Sequence, residues 1–224
     1  MKYFENFPSL VYTFDKNTVN VQAVTDIFAR TAFLRDIKNN VDISYEYQIQ
    51  ESDTPEIIAH KQYGDAYRSW IILLFNNLIN PNYDWPLKSE VLDDYIQAKY
   101  NQTLDQATST INHYEKVITK TQTFNGLLID QTVESTLASE YDVDFATNRI
   151  TPAVLPVIPD TSITLSNETI QYPDYTLNIL TEIKAVSNYQ NEVDINEAKR
   201  NIRILDSQYV QIVETQFKEL MRNG

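Results

Sequence analysis

The stretch from Asp42 to Leu87 most narrows what this chain can fold into, because it holds the longest apolar run and both tryptophans. Ile43, Tyr45, Tyr47 and Ile49 alternate with Asp42, Ser44, Glu46, Gln48 and Gln50, the period-two pattern of a half-buried strand. Asp53 or Thr54 then caps a helix. Pro55 takes the first helical position, where no intrahelical donor is needed, and Glu56 favours the positive end of the dipole. Ile57, Ile58, Lys61 and Gln62 carry this helix to Tyr63, and Gly64 supplies the left-handed residue that ends it. Asp65 caps a second helix, on which Trp70, Ile71, Leu73, Leu74 and Leu78 spread around most of the circumference, so it must be buried on more than one side. Asn80-Pro81-Asn82 stops it, and Asp84-Trp85-Pro86-Leu87 is expected to return to the core as a strand. Ile57, Ile58, Tyr63, Trp70, Leu73, Leu74 and Trp85 are the expected core of this stretch.

Aromatic residues mark the N-terminal end. Tyr3, Phe4, Phe7, Tyr12 and Phe14 lie in a segment, Lys2 to Phe14, that Pro8 divides into two extended pieces. A chain end this apolar either pairs with the protein's own sheet or docks on a neighbour as an arm. Val19 to Lys38 has apolar residues at mixed three and four spacings and reads as a helix, ended by Asn39-Asn40. Beyond the central stretch, Ser89 opens a helix with Val91, Leu92, Tyr95, Ile96 and Tyr100 on one face. The Thr- and Gln-rich run from Asn101 to Thr123 suggests a hairpin, and Asn125-Gly126 is a turn because both residues tolerate positive φ. From Tyr141 to Tyr175 four prolines point to an extended, wrapping loop rather than a central strand. Thr181 to Asp194 alternates as a strand, Asn196 to Arg200 makes a polar corner, and Ile202 and Ile204 flank Arg203 in a short strand. Asp206-Ser207 caps a last helix whose stripe, Tyr209, Val210, Val213, Phe217, Leu220 and Met221, serves either the chain's own core or a neighbouring subunit.

Charge and composition exclude several function classes. Against 31 acidic residues stand 18 basic ones, a formal net charge of -13, which opposes binding to nucleic-acid phosphates or anionic lipid. The first ten residues meet a Glu and a Pro before any apolar stretch, unlike a secretory signal, and the longest apolar run, Trp70 to Phe75, falls far short of the roughly 20 residues of a membrane span. Without cysteine there is neither thiolate chemistry nor a disulfide framework. The two histidines, His60 and His113, lie in unrelated segments, so no metal site is expected. Three glycines leave no nucleotide-binding loop, and the carboxylate pairs Asp93-Asp94 and Glu51/Asp53 are expected by chance among so many acids. No catalytic residue and no cofactor is expected. The fifteen tyrosines supply rigid area with a polar tip, the chemistry of half-buried packing or of interfaces.

A strand, a short helix ending in Tyr-Gly-Asp, a buried helix opening near a tryptophan and a return strand resemble the LysM module, a small glycan-binding unit. Two longer phrases, DTPEIIAHKQYGDAYRSWIILLFNNLINPNYDWP and INEAKRNIRILDSQYVQIVETQFKELM, resemble the baseplate wedge family, the product of gene 53, of T-even-like contractile-tailed bacteriophages. The resemblance implies an α+β fold with a LysM-like βααβ core and added helices, an N-terminal extended arm, a proline-rich insertion and a C-terminal strand-helix element. The expected divisions are residues 1–40 (arm and helix), 41–106 (core and following helix), 107–181 (β/loop insertion) and 182–224 (C-terminal strands and helix).

By the same resemblance the protein is a structural subunit of the virion tail baseplate, assembled in the host cytoplasm, that joins neighbouring wedges around the hub. Its partners would be the lysozyme-like sheath-initiating subunit, the wedge bundle proteins and adjacent copies of the wedge, with neither nucleic acid nor membrane. Tyr3, Phe4, Phe7, Tyr12 and Phe14 would form a partner-binding arm, and Tyr209, Val213, Phe217 and Leu220 a C-terminal interface. A vestigial glycan groove would lie at Asp53, Thr54, Asn80 and Asn82, whose residues a helix cap and a helix stop explain equally. The alternative function is a tail-associated LysM-type peptidoglycan-binding or hydrolytic module.

Overall fold

A computed structural model describes residues 2–12, 22–26, 41–144 and 146–223. They fold as α+β in two compact units, one formed by residues 1–88 and 196–224, the other by residues 89–195.

In the first unit a short 3-10 turn, Tyr3–Asn6, precedes β1 (Ser9–Tyr12), which pairs antiparallel with β2 (Gln22–Thr25). Two expectations change here. The piece before Pro8 is a tight turn rather than extended chain, because Tyr3, Phe4 and Phe7 gather their rings on one side. Residues 22–25, expected in a helix, form a strand instead, since Pro8 and Asp26 close a ladder in which Asp26 N donates to Pro8 O at 2.8 Å. The rest of that expected helix lies outside the described residues, as does Phe14.

The next strand, β3 (Ser44–Gln48), follows the expected alternation only towards its end, with Tyr47 half-buried and Ile49 just beyond it buried, while Tyr45 is exposed and Ser44 half-buried. Helix α1 (Pro55–Tyr63) begins and ends as the sequence indicates. The Thr54 hydroxyl accepts from Ile57 N at 3.3 Å, Pro55 stands at the start, and Gly64 takes φ +70°. Asp65 caps a 3-10 turn, Ala66–Arg68, that leads into α2 (Ser69–Phe75). Ile71, Ile72 and Phe75 are buried there and Leu73 and Leu74 half-buried, as expected of a helix enclosed on several sides. After it, α3 (Pro81–Asp84) is a single turn capped by Asn80.

No return strand forms at Asp84 to Leu87. The partner of β3 is β10 (Asn201–Leu205), paired antiparallel from Asn201↔Gln48 to Leu205↔Ser44. Ile202, Ile204 and Leu205 are buried, whereas the 84–87 segment carries two residues, Asp84 and Pro86, that suit a capped turn and not a ladder. Asn76, just past α2, grips the strand through its side chain: its Oδ1 accepts from Arg203 N at 2.9 Å and its Nδ2 donates to Arg203 O at 2.8 Å.

Within the second unit, α4 (Ser89–Tyr100) buries Leu92 and Ile96 of its expected face and leaves Tyr100 half-buried, whereas Val91 and Tyr95 are exposed. The following Thr/Gln-rich run was expected wholly in a hairpin, but it begins with α5 (Leu104–Ser109), where Thr103 and Gln106 form a reciprocal capping box. The hairpin comes after it, as β4 (Ile111–Phe124) and β5 (Leu127–Leu137) joined by Asn125 and Gly126, both at positive φ. A small hairpin, β6 (Tyr141–Asp144) with β7 (Arg149–Pro152), interrupts the stretch expected as loop. So does β8 (Ser162–Gln171), a ten-residue edge strand. Pro156, Pro159 and Pro173 fall between strands and Pro152 ends one, so the prolines stay out of strand interiors without turning the whole stretch into loop. β9 (Thr176–Ser187) follows, and the sheet order is β5-β4-β9-β8, antiparallel throughout.

The strand expected to reach Asp194 stops at Ser187, where the Ser187 hydroxyl accepts from Gln190 N at 3.0 Å and starts α6 (Asn188–Ala198). Helix α7 (Ser207–Asn223) closes the chain, with Asp206 Oδ1 accepting from Gln208 N at 3.0 Å.

The two units are built differently inside. In the first, one cluster joins Phe7, Ile58, Trp70, Ile71, Phe75, Ile204, Phe217 and their neighbours. In the second, the buried apolar residues are Leu92, Ile96, Ala107, Ile183, Ala185 and Val186, gathered where β9 meets the helices. Apart from the buried Ser187 of β9, the rest of the four-stranded sheet, including every residue of β5, stays exposed or half-buried. At about 3.4 Å per residue, β4 alone runs roughly 48 Å.

Candidate protein–protein interface

The residues singled out as a partner-binding arm divide. Phe7 is only 7 % exposed, and Tyr3 is half-buried with its ring 5.3 Å from that of Phe217 and 5.4 Å from that of Trp70. Phe4 and Tyr12 are exposed. So the start of the chain is anchored on its own core through Tyr3 and Phe7, and Phe4 and Tyr12 are the side chains it presents outward.

The expected C-terminal interface divides the same way. Phe217 lies 4.7 Å from Trp70, ring centre to ring centre, and is buried together with Val210 and Met221, and Tyr209 and Val213 pack against the same cluster. Leu220 alone of the four points outward, at 60 % exposed. The helix is also pinned by Arg68, whose Nε donates to Glu214 Oε1 at 2.8 Å and whose Nη1 donates to Tyr63 O at 2.8 Å. The expected core residues Ile58, Tyr63 and Trp70 are buried, Leu73, Leu74 and Trp85 half-buried, while Ile57 is 42 % exposed because it lies on the side of α1 away from the buried Pro55, Ala59 and Tyr63. Trp70 Nε1 is buried without an acceptor among the described residues, a desolvation cost of about 1–3 kcal/mol that the surrounding rings must offset.

At the expected glycan groove the polar atoms are spent on holding the chain. The Asp53 carboxylate is nearly inaccessible and accepts from the Tyr47 hydroxyl at 2.7 Å, Lys61 Nζ at 2.7 Å and Gln50 N at 3.1 Å. Burial would raise its pKa, but these three bonds outweigh burial and hold it below the ordinary aspartate value. Burial and the same contact push Tyr47 up to about 12. Trp85 Nε1 donates to Asp53 O at 3.1 Å, which ties the loop before α1 to the turn after α2. Thr54 caps α1, and Asn80 Oδ1 accepts from Asn82 N at 3.2 Å. Asn80 and Asn82 themselves are exposed.

The second unit has one comparable anchor. Glu192, buried, accepts from Lys99 Nζ at 2.7 Å, the Tyr100 hydroxyl at 2.8 Å and Asn191 Nδ2 at 2.9 Å, which fastens α6 to α4. Burial would raise its pKa and the Lys99 and Tyr100 bonds hold it below the usual glutamate value. His113 bonds Asn112 Oδ1 at 2.9 Å and Glu115 Oε1 at 3.3 Å, a surface cluster on β4. Among the described residues no group of three or more His, Cys, Asp or Glu side chains is placed to hold a metal ion, and no helix is long and apolar enough to cross a membrane.

The surface that sequence reasoning passed over is β5. Leu127, Val133 and Leu137 are 73 %, 62 % and 78 % exposed on a strand at the edge of its sheet. The signal was present in LLIDQTVESTL, five large apolar residues among β-branched and polar ones just after a hairpin turn.

The family model described as Base plate wedge protein 53 matches residues 1–134, more than half of the chain. The chain belongs to this phage baseplate wedge family. The match spans the first unit up to Lys88 and the second as far as Glu134 on β5. A comparison with curated proteins finds no match. Membership makes this wedge protein a structural component of the phage tail baseplate that interacts with other baseplate components. The wedge protein's exposed apolar strands are then candidate contact surfaces for those components.

Proposed function

We propose that this wedge protein joins neighbouring wedges around the central hub as the baseplate assembles in the host cytoplasm, and that it does so without catalysis. Family membership over residues 1–134 is the observation that carries this reading. The contrast between the two units supports it. The first has a closed core and suits a rigid block, and the arrangement of β3, α1, α2 and β10 supports a LysM-like βααβ reading of that block. The second exposes a long antiparallel sheet on a small core, an arrangement that gains stability from a covering partner. The partners would be the lysozyme-like sheath-initiating subunit, the wedge bundle proteins and adjacent wedges. Asp53 and Thr54, engaged by Lys61, Tyr47 and Ile57, support a structural use of the groove over saccharide binding.

Quantitative mass spectrometry of purified tail particles tests the proposal, with copies of this chain counted against a tube or sheath protein of known number. About six copies, one per wedge of a sixfold ring, is the expected result. About three or fewer, or absence from the particle, would overturn it.

A further inference from the structure

We infer that the free edge of β5 accepts an added strand from a different baseplate protein, a strand in which apolar residues alternate with lysine or arginine. This deepens the structural role proposed above and rests on the chain acting within an assembly.

Four observations lead there. First, β5 is an edge strand of eleven residues, exposed throughout, so alternate backbone amides and carbonyls along it face away from β4 without a partner strand. Second, the two edges of the sheet differ. β8, SITLSNETIQ, has three large apolar residues among ten, and a register shift between Thr164 and Ser166 breaks its run near the middle. The irregularity in β5 lies beside the hairpin turn, opposite Gln122/Thr123, which leaves Asp130 to Leu137 regular over eight residues. Native edges that must stay unpaired are blunted by bulges and polar residues; β5 has its irregularity at one end and five large apolar residues, Leu127, Leu128, Ile129, Val133 and Leu137, against three in β8.

Third, the pairing register sorts its side chains. Gln131, Val133, Ser135 and Leu137 share a face with Glu115, Val117, Thr119 and Thr121, where the Glu115 carboxylate accepts from the Ser135 hydroxyl at 2.7 Å, while Asp130, Thr132, Glu134 and Thr136 share the other with Lys116, Ile118, Lys120 and Gln122. An added strand would therefore meet Val133 and Leu137, with Gln131 before them and Ser135 between, on one side and two carboxylates on the other, of which Glu134 already receives Lys120 Nζ at 2.7 Å. Fourth, the charge is concentrated in this unit. Residues 89–195 hold 16 acidic and 5 basic side chains, a net of -11, against 15 and 13, a net of -2, in the first unit.

The same register argues against a second copy as occupant. Antiparallel pairing of β5 with itself over its full length centres on Thr132 and sets Asp130 opposite the other copy's Glu134, twice, between two units of net -11. Like charges directly opposite in a ladder are destabilising, whereas a basic strand turns both positions into attraction.

Hydrogen exchange of the full chain, followed by mass spectrometry, tests this with a synthetic strand of about ten residues in which valine and threonine alternate with lysine. The expected result is at least about tenfold slower exchange across residues 127–137, none across 162–171, and at least about tenfold weaker binding to the exposed-site variants Val133→Lys and Asp130→Lys. A glutamate version and a scrambled-order lysine version should leave exchange unchanged. Protection absent, placed on 162–171, or given equally by the scrambled peptide would overturn the inference. So would protection of 127–137 that rises with protein concentration alone, which would assign the edge to a second copy. These results stand whatever the copy number in tail particles, so failure here and failure of the baseplate reading remain distinguishable.

Discussion

Phe217 and Leu220 lie three residues apart on one helix, and replacing each by alanine separates a core stripe from a docking stripe. Phe217 is 5 % exposed and its ring lies 4.7 Å from Trp70, 5.3 Å from Tyr3 and 6.1 Å from Phe7. Truncating a buried phenylalanine costs about 3–5 kcal/mol from lost transfer energy and the cavity left behind. At about 2–4 °C per kcal/mol for a cooperative unit of this length, Phe217→Ala should lower the thermal midpoint by about 6–20 °C. Leu220→Ala removes an exposed side chain and should stay within about 0.5 kcal/mol. Circular dichroism melts of the purified chain measure both. The pair Phe217→Ala with Tyr3→Ala should couple by about 0.5–1.5 kcal/mol, because the two rings stack. Equal small shifts for Phe217→Ala and Leu220→Ala, or strict additivity with Tyr3→Ala, would refute the assignment of this stripe to the core and of the N-terminal turn to the helix.

Three further outcomes follow from the same geometry. Asp53 and Glu192 both lie below their ordinary pKa in the fold, so the stability they lend is present above about pH 4 and is lost as pH falls through the folded values. The gap in urea midpoint between wild type and Asp53→Asn or Glu192→Gln should shrink from pH 7 to pH 3, and a constant gap would contradict the hydrogen-bonding account. Gly64→Ala should cost about 1 kcal/mol from the left-handed backbone alone, since no atom lies within 4 Å of an added Cβ. A loss well above that in denaturant titration would mean a clash the structure does not contain. Deleting residues 1–14 removes Phe7 and Tyr3 from around Trp70 and should red-shift tryptophan fluorescence and lower the melting midpoint, whereas an unchanged midpoint would show that the segment is a detachable arm.

The division between a closed block and an open sheet also explains where the tyrosines and acids go. Tyr47, Tyr63 and Tyr100 use their hydroxyls to fix the fold, donating to Asp53, Leu205 O and Glu192. Burial pushes the Tyr63 hydroxyl well above its ordinary value. Carboxylates recruited in this way are few, and the bulk of the acidic excess belongs to the unit with the exposed strands. There like charges disfavour pairing of the exposed strands with copies of themselves.

What the sequence determined alone are the features written in adjacent residues. Thr54-Pro55 and Gly64 fix both ends of α1, Asn125-Gly126 fixes the β4–β5 turn, and Asp206 starts α7, because caps and turns satisfy their hydrogen bonds within a few positions. The same holds for the stripe Val210, Phe217 and Met221, whose spacing places it on one face whatever it meets. Family membership was legible too, since it rests on the order of residues. Tertiary structure alone decided which strand completes β3, more than 150 positions away, and that the Trp85 segment would be held by a hydrogen bond to Asp53 O instead of entering a ladder. It also decided that Phe7 turns inward while Leu137 stays out. A short apolar run can serve either end, and what selects between them is the set of distant surfaces available to cover it.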